Sequence, residues 1–234
     1  MFHVKHGAGD RLTSVPPSAM EVFGERLPSA ERYVDLLATK GIQRGLIGPR
    51  ELSRIWDRHI LNCAVIHAAI PVVGCAMADV GSGAGLPGIV LAIVRPDLAV
   101  TLVEPMQRRT DFLTEVSAEL GLSNVSVRRA RAEELADELA VDVVTARAVA
   151  PLERLARWTL PLLSKGGLLL AMKGKTAAEE LTRAIPTLRR MGAASWRIGE
   201  YGSGIVNPPT RVTIIEVGAR IGEAVPRRRT KGRR

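Results

Sequence analysis

Cysteine and long apolar runs are both scarce in this sequence. Among 234 residues there are two cysteines, Cys63 and Cys75, which are too few for a disulfide framework and form no metal-ligand cluster. Both lie in apolar segments, so each is expected to be a small buried side chain. No apolar run approaches the ~18 residues of a membrane span, and the N-terminus lacks a signal-peptide core. We therefore expect a cytoplasmic protein that uses no metal.

Two short motifs resemble known sites but are incomplete. The run 174–176 (GKT) matches the end of a phosphate-binding P-loop, but that motif needs a glycine where this chain has Leu169. The run 207–210 (NPPT) resembles the N-P-P-[YF] box of amino-group DNA methyltransferases, but it lacks the aromatic residue and follows the sixth predicted strand, not the fourth. We therefore exclude a P-loop and interpret 207–210 as a proline-stiffened loop.

The basic excess of the chain is concentrated at its C-terminus. The net charge is +9, and six basic residues lie in the last nine positions (PRRRTKGRR), which contain no acid. The remainder carries 27 basic and 24 acidic residues and is only mildly basic. A disordered basic tail attracts polyanions, most commonly RNA or DNA, although it could also serve solubility alone.

The glycine-rich stretch Ala78 to Gly88 (ADVGSGAGLPG) is the strongest indication of function. It joins one apolar segment to another, as a strand that turns sharply into a helix does. Glycine lets the backbone approach a ligand closely, and the first N–H groups of a helix lack intrahelical partners. The spacing G-x-G-x-G differs from the G-x-G-x-x-G of dinucleotide-binding proteins. Preceded by Asp79, it resembles motif I of class I S-adenosylmethionine (SAM) methyltransferases, with Gly81, Gly83 and Gly85 as its glycines.

Other candidate ligand contacts follow the later strands. Glu104 ends the next strand, 19 residues after Gly85, about where a carboxylate reaches a ribose hydroxyl. Ligands collect at the carboxyl ends of parallel strands, so Ala132 and Glu133 are expected to contact adenine. Arg147 follows the fourth strand between small apolar residues and is expected to face the substrate.

Alternating strand-like and helix-like segments predict an α/β fold with a Rossmann-like, seven-stranded, mostly parallel sheet and an N-terminal helical extension. The last two strands are expected to form an antiparallel pair. Strands are predicted at 76–80, 99–104, 125–127, 141–145, 168–172, 195–201 and 211–217, with helices at 88–94, 107–120, 152–163 and 177–191.

The chain is expected to have four regions. Residues 1–17 are predicted to be a flexible arm, 18–71 a helical extension, 72–218 the methyltransferase domain and 219–234 a basic, disordered tail. In the extension, a short helix is expected from Ser29 and a longer one from Pro49. His59 falls on the apolar side of the longer helix and is interpreted as a core histidine with satisfied hydrogen bonds, in preference to a catalytic residue.

Taken together, the ordered motifs RHILN (58–62), DVGSGAGLPG (79–88), FL (112–113), RAEE (131–134), TARAVAP (145–151) and MKG (172–174) resemble the RsmG (GidB) family of bacterial small-subunit rRNA methyltransferases. The resemblance spans about residues 20–217. It implies SAM-dependent methylation of a guanine N7 in 16S rRNA near the decoding centre. The family often has Asp-Ser where this chain has Asn62 and Cys63. By position, it implies that Gly81, Leu86, Ala132, Glu133 and Arg147 contact SAM or its surroundings.

The residue inventory is compatible with N7 chemistry. Methyl transfer from a sulfonium is mainly a matter of positioning, and guanine N7 has a free lone pair, whereas a carbon acceptor needs a nucleophilic cysteine. No catalytic residue is therefore assigned. We expect a monomer that acts on 16S rRNA or the small ribosomal subunit. The predicted cofactor contacts are Gly81, Gly83, Gly85, Leu86, Glu104, Ala132, Glu133 and Arg147, and the predicted RNA contacts are Arg58, Arg108, Arg109, Arg147, Lys173, Arg227, Arg228 and Arg229.

Three alternatives remain open at this point. A class I methyltransferase acting on a small molecule is disfavoured by the basic tail. A nicotinamide oxidoreductase is disfavoured by the glycine spacing. A non-catalytic RNA-binding module is disfavoured by the intact glycine motif and its acid.

Overall fold

The structure is a computed structural model that describes residues 13–70 and 74–218. Its centre is a seven-stranded sheet with the strand order β3-β2-β1-β4-β5-β7-β6. The strands are β1 (Ala76–Val80), β2 (Ala99–Val103), β3 (Val125–Arg128), β4 (Val141–Arg147), β5 (Leu163–Met172), β6 (Ala193–Tyr201) and β7 (Thr210–Val217).

The sheet is parallel from β1 to β5 and becomes antiparallel at β7, as the sequence predicted. Its strand order reverses between β1 and β4, so a crevice opens there at the carboxyl ends of the strands, which is where α/β proteins bind ligands. The helices are α1 (Pro17–Phe23), α2 (Leu27–Leu36), α3 (Asn62–Ala64), α4 (Gly88–Val94), α5 (Gln107–Glu119), α6 (Leu152–Thr159) and α7 (Ala177–Arg190).

The connection between α6 and β5 differs from the prediction. The helix ends at Thr159 and a short 3₁₀ segment, Leu160–Leu162, follows it, because Pro161 cannot continue the α-helical hydrogen bonding. The strand then begins at Leu163, five residues earlier than expected, and includes the glycines that were interpreted as a connection.

The helical extension also begins earlier than predicted. Helix α1 starts at Pro17, the last residue assigned to the arm, and α2 starts at Leu27 rather than being capped by Ser29. Proline occupies the first turn of both helices, where its missing N–H costs no hydrogen bond. The prolines therefore mark where these two helices begin, and Ser29 does not.

The longer helix of the extension starts at Pro49 as predicted, but its hydrogen bonding is irregular. A 3₁₀ segment, Pro49–Arg54, is followed by a π-helical segment, Ile55–Leu61, then by α3 and a second 3₁₀ segment, Val65–Ala69. Such π-helical insertions are often found at functional sites.

The extension shares one hydrophobic core with the sheet domain. Side chains of α1 and α2 pack in the same cluster as those of α4 and α5, on one face of the sheet, while α6 and α7 cover the other face. Helix α4 (GIVLAIV) is apolar throughout and buried from Gly88 to Ile93, as expected of a helix enclosed on all sides. Within the described residues, no helix has the length and apolar character to span a membrane.

Candidate active site

The glycine motif forms a tight loop between β1 and α4. Gly81 and Gly85 have φ angles of 70° and 97°, in the region that favours glycine. A Cβ on Gly81 would lie 2.8 Å from Val149 Cγ2, and one on Gly85 would lie 2.6 Å from Ile89 Cγ1. The two glycines are therefore required by both backbone conformation and packing.

A side chain of helix α2 stabilises this loop by a hydrogen bond to its backbone. The fully buried Tyr33 hydroxyl donates to the carbonyl oxygen of Ala84 at 2.7 Å. Burial raises the pKa of Tyr33 far above its usual value, so the hydroxyl remains a donor. This contact was not predictable from the sequence, because Tyr33 is one apolar position in a helix far from the motif.

Asp79, near the end of β1, stabilises the loop through buried hydrogen bonds. One carboxylate oxygen accepts from Thr145 Oγ1 at 3.0 Å and the other from the Gly88 backbone N–H at 3.1 Å. Burial raises the pKa of Asp79 to about 6, although these hydrogen bonds act in the opposite direction. Asp79 therefore joins β1, β4 and the start of α4.

Glu104 follows β2 and is 2% exposed. Its Oε2 accepts from the Gly83 N–H at 3.0 Å and its Oε1 from the Met106 N–H at 3.1 Å. Arg109 Nη1 lies 3.5 Å from Oε2. A carboxylate has about four lone-pair positions, so acceptor capacity remains for a ligand hydroxyl.

A cleft of about 410 Å³ opens beside Glu104, at the carboxyl ends of β1, β2 and β4; we call it the first cleft. Among the predicted cofactor contacts, Gly81, Glu104, Ala132, Glu133 and Arg147 line it. The other three predicted contacts do not line the cleft. The Gly83 N–H donates to Glu104, Gly85 packs against Tyr33, and the half-buried Leu86 packs against the hydrophobic core. The lining residues are Val80, Gly81, Val103, Glu104, Pro105, Met106, Arg109, Ala130, Arg131, Ala132, Glu133, Arg147, Ala148, Val149 and Trp158.

These residues fit a nucleoside cofactor such as SAM. The volume lies in the usual range for a small-molecule site, and most lining residues are apolar or glycine, with five charged side chains among them. The buried Glu104 carboxylate lines the cleft with acceptor capacity remaining, and a Cβ on Gly81 would collide with Val149, which lines the same cleft. The apolar walls at Val149 and Trp158 were not predicted, because only Arg147 was singled out in the 145–151 motif and Trp158 lies on a helix without a recognisable motif.

Arg147 is the last residue of β4 and is held by the helical extension. Its Nη2 donates to the Arg58 carbonyl oxygen at 3.2 Å and lies 2.8 Å from His59 Nδ1, while its Nη1 donates to Cys63 Sγ at 3.2 Å. His59 Nε2 in turn lies 2.8 Å from Glu51 Oε2. Both ring nitrogens of His59 therefore have partners, as predicted, but the side chain is half-buried in a polar network and its placement in the core is corrected. Its neighbour Cys63 is fully buried as predicted, but it is also a hydrogen-bond acceptor.

A second cleft of about 710 Å³ lies on the other side of Arg147 and Ala148, which line both clefts. Its walls are the extension, the end of β5 and the loop between β6 and β7, including the NPPT run. Thr210 Oγ1 ties this loop to the carbonyl oxygen of Asn62 at 3.1 Å. The charged groups around the second cleft are Arg54, Asp57, Arg58, Arg147, Lys173, Lys175, Glu200 and Arg211.

The predicted RNA contacts are dispersed. Arg58 lines the second cleft with 55% of its side chain exposed, whereas Lys173 is 8% exposed and bonded to Glu180 Oε2 at 2.9 Å. Arg109 lines the first cleft, and Arg108 is exposed on α5. The tail residues 227–229 lie outside the described residues. In the described part of the chain, no group of three or more His, Cys, Asp or Glu side chains could hold a metal ion.

Comparison with known proteins identifies the family. The protein-family model named GidB, described as rRNA small subunit methyltransferase G, matches residues 26–193 of this chain. The chain belongs to this family. A ribosomal RNA small subunit methyltransferase G from Streptomyces avermitilis is 55% identical over 208 residues, covering 88% of this chain and 87% of that protein. Its counterpart in Thermobifida fusca is 51% identical over 223 residues, covering 93% and 94%. The resemblance found in the sequence is thus confirmed.

Solved structures confirm the class I methyltransferase fold. A putative SAM-dependent methyltransferase from Methanococcus maripaludis superposes with a TM-score of 0.56, covering 82% of this chain and 93% of that one at 13% identity. A SAM-dependent O-methyltransferase from Thermotoga maritima gives 0.55, covering 80% and 72% at 16% identity. At these identities the likeness concerns the fold and not the substrate.

Proposed function

We propose that the protein is a SAM-dependent methyltransferase that methylates N7 of a guanine in 16S rRNA, near the decoding centre. The observation that carries the proposal is the pair of clefts that meet at Arg147, one suited to a nucleoside and the other bordered by cations, in a member of the rRNA small subunit methyltransferase G family. The proposed setting is the cytoplasm, with a monomer acting on 16S rRNA or the small subunit.

The first cleft would hold the cofactor. SAM supplies a methyl group on a sulfonium, which a nucleophile displaces in line. Glu104 would accept hydrogen bonds from ribose hydroxyls, and the apolar surface that includes Ala132 would receive the adenine. Gly81 would let the backbone approach the ligand, since it carries no side chain. Leu86, Gly83 and Gly85 remain predicted contacts through the shape of the loop.

The groups around the clefts favour an acceptor that needs no deprotonation. Burial raises the pKa of the Cys63 thiol, which already accepts from Arg147, so it is a poor nucleophile. Cys75 precedes β1, at the opposite edge of the sheet, and burial raises its pKa too. Both nitrogens of His59 have partners. Guanine N7 presents a free lone pair, so positioning is the main requirement.

The second cleft would receive the RNA. Arg58 and the exposed Lys175 lie on its rim, where cations can contact phosphates and release counterions. Arg147 would face the target nucleotide at the junction of the clefts. Arg108, Arg109, Lys173 and the tail arginines 227–229 remain proposed RNA contacts.

Mass spectrometry of 16S rRNA nucleosides tests the proposal. 16S rRNA from cells lacking the protein is incubated with SAM and either the wild-type protein or Glu104→Ala. We expect 7-methylguanosine to form with the wild type and to be strongly reduced with the variant. If SAM binds but neither 16S rRNA nor small subunits are methylated, a small-molecule acceptor becomes the better function. If neither SAM nor its demethylated product binds, the cofactor assignment is wrong.

A further inference from the structure

A hydrogen-bonded row of side chains leads from the extension to the junction of the two clefts. Glu51 contacts His59 Nε2, and His59 Nδ1 contacts Arg147 Nη2, each at 2.8 Å. A guanidinium only donates hydrogen bonds, so Nδ1 must accept and the ring proton of neutral His59 lies on Nε2, toward Glu51. The two partners together determine both the tautomer and the orientation of the ring.

The extension holds the Arg147 guanidinium through three acceptors. These are His59 Nδ1, the carbonyl oxygen of Arg58 and the Sγ of Cys63. All three come from one helical stretch that includes the π-helical segment Ile55–Leu61. A guanidinium has five N–H donors, so donors remain for a ligand at the junction of the clefts.

We propose that His59 and Glu51 are positioning residues that orient the Arg147 guanidinium toward an oxygen of the target guanine nucleotide. The inference rests on the proposed function and deepens it, because it names what keeps the acceptor side of the junction in place. His59 contacts neither reactant in this arrangement and acts through Arg147.

The charges around His59 are consistent with an accepting Nδ1. Burial, Arg147 and Arg58 lower the pKa of His59, whereas Glu51 raises it, and the net direction is downward. The ring is therefore neutral at neutral pH. Protonation would place an N–H on Nδ1 against the Arg147 donor, so turnover is expected to fall on the acidic side as His59 becomes charged.

A double-mutant cycle tests whether His59 acts through Arg147. In His59→Gln the amide reaches the former Nε2 position and removes one of the three acceptors of Arg147, whereas the His59→Asn oxygen lies close to the former Nδ1. We expect His59→Gln to lower kcat about tenfold, the value of one charge-assisted hydrogen bond, while the SAM dissociation constant stays within about twofold. His59→Asn should recover most of kcat. In an Arg147→Ala background, His59→Gln should cause little further loss.

Histidine ring NMR gives a readout that does not depend on activity. We expect the neutral His59 ring to carry its proton on Nε2, with a pKa that rises in Arg147→Ala and falls in Glu51→Gln. Glu51→Gln changes a half-buried surface side chain and serves if His59→Gln does not fold. His67→Gln, a half-buried histidine that lines neither cleft, is the matched control and should match the wild type.

Three results would overturn the inference: a proton on Nδ1, losses that add in the double mutant, or an Arg147→Ala enzyme with wild-type kcat and KM for RNA. Each of these leaves the proposed function standing. Failure of the wild-type protein to methylate 16S rRNA would instead overturn the proposed function, and the tautomer measurement would still test the arrangement.

Discussion

At the scale of single residues, the buried carboxylate of Glu104 lines the first cleft, where we propose that the ribose of SAM binds. Glu104→Gln keeps the shape but removes the charge and replaces one acceptor oxygen with a donor. Hydrogen bonds to charged groups are worth about 1.5–3 kcal/mol, so we expect SAM to bind roughly 10- to 100-fold more weakly in calorimetric titration. Glu138→Gln, whose exposed side chain lies outside the cleft, should bind SAM like the wild type. Equal affinity in both variants would remove Glu104 from the site.

The buried Asp79 is expected to make the stability of the protein depend on pH. Its pKa is raised from 3.8 to about 6, so the folded protein keeps this proton to a higher pH than the unfolded chain does. The stability contributed by Asp79 is therefore present below about pH 4 and lost as the pH rises to about 6.

Asp79→Asn removes this dependence and can still pair with Thr145 and the Gly88 N–H. At about 1.4 kcal/mol per pKa unit, the variant should gain about 3 kcal/mol relative to the wild type between pH 4 and 7. Urea unfolding at several pH values measures the difference. Parallel stability curves for the two proteins would contradict the prediction.

At the scale of elements, the start of α4 is packed against β1 and β2 without spare volume. A Cβ on Gly88 would lie 2.3 Å from Leu102 Cδ2 and 2.7 Å from Asp79 Oδ2. We expect Gly88→Ala to lower the free energy of unfolding by about 1–3 kcal/mol, the usual cost of overpacking. Gly48→Ala meets no atom within 4 Å and should leave stability unchanged or slightly raised. Similar unfolding midpoints for the two variants would show that the helix can shift.

Helix α2 contributes to the loop that follows β1, although it belongs to the extension. Tyr33→Phe leaves the buried carbonyl of Ala84 without its donor, which costs about 1–3 kcal/mol. We expect lower stability together with weaker SAM binding, because the loop loses its support. Thermal unfolding and SAM titration measure the two effects. Tyr201→Phe removes a hydroxyl from edge strand β6 and is the control. Lower stability with unchanged SAM affinity would make Tyr33 a core residue only.

At the scale of the whole molecule, the sheet was more predictable than the extension. The hydrophobic period changes between the strands and the helices of the domain, so both were predictable. The glycines, Asp79 and Glu104 indicated the edge of the sheet at which the first cleft opens. The extension has no comparable sequence pattern. Its boundaries depend on proline in the first turn, and its π-helical segment and the contact from His59 to Arg147 join residues far apart in sequence. The second cleft was missed for the same reason, since its walls come from three separate segments.

The C-terminal residues 226–234 carry the largest concentration of positive charge in the chain. Their removal takes away six cations, so the protein should bind 16S rRNA more weakly. Each lost phosphate contact should lower the slope of log affinity against log salt by roughly 0.7–0.9. Filter binding at several salt concentrations, with full-length and truncated protein, measures both effects. SAM affinity should not change, because the first cleft is built from residues 80–158. A full-length slope in the truncated protein would exclude the tail from RNA binding and leave the phosphate contacts to the rim of the second cleft.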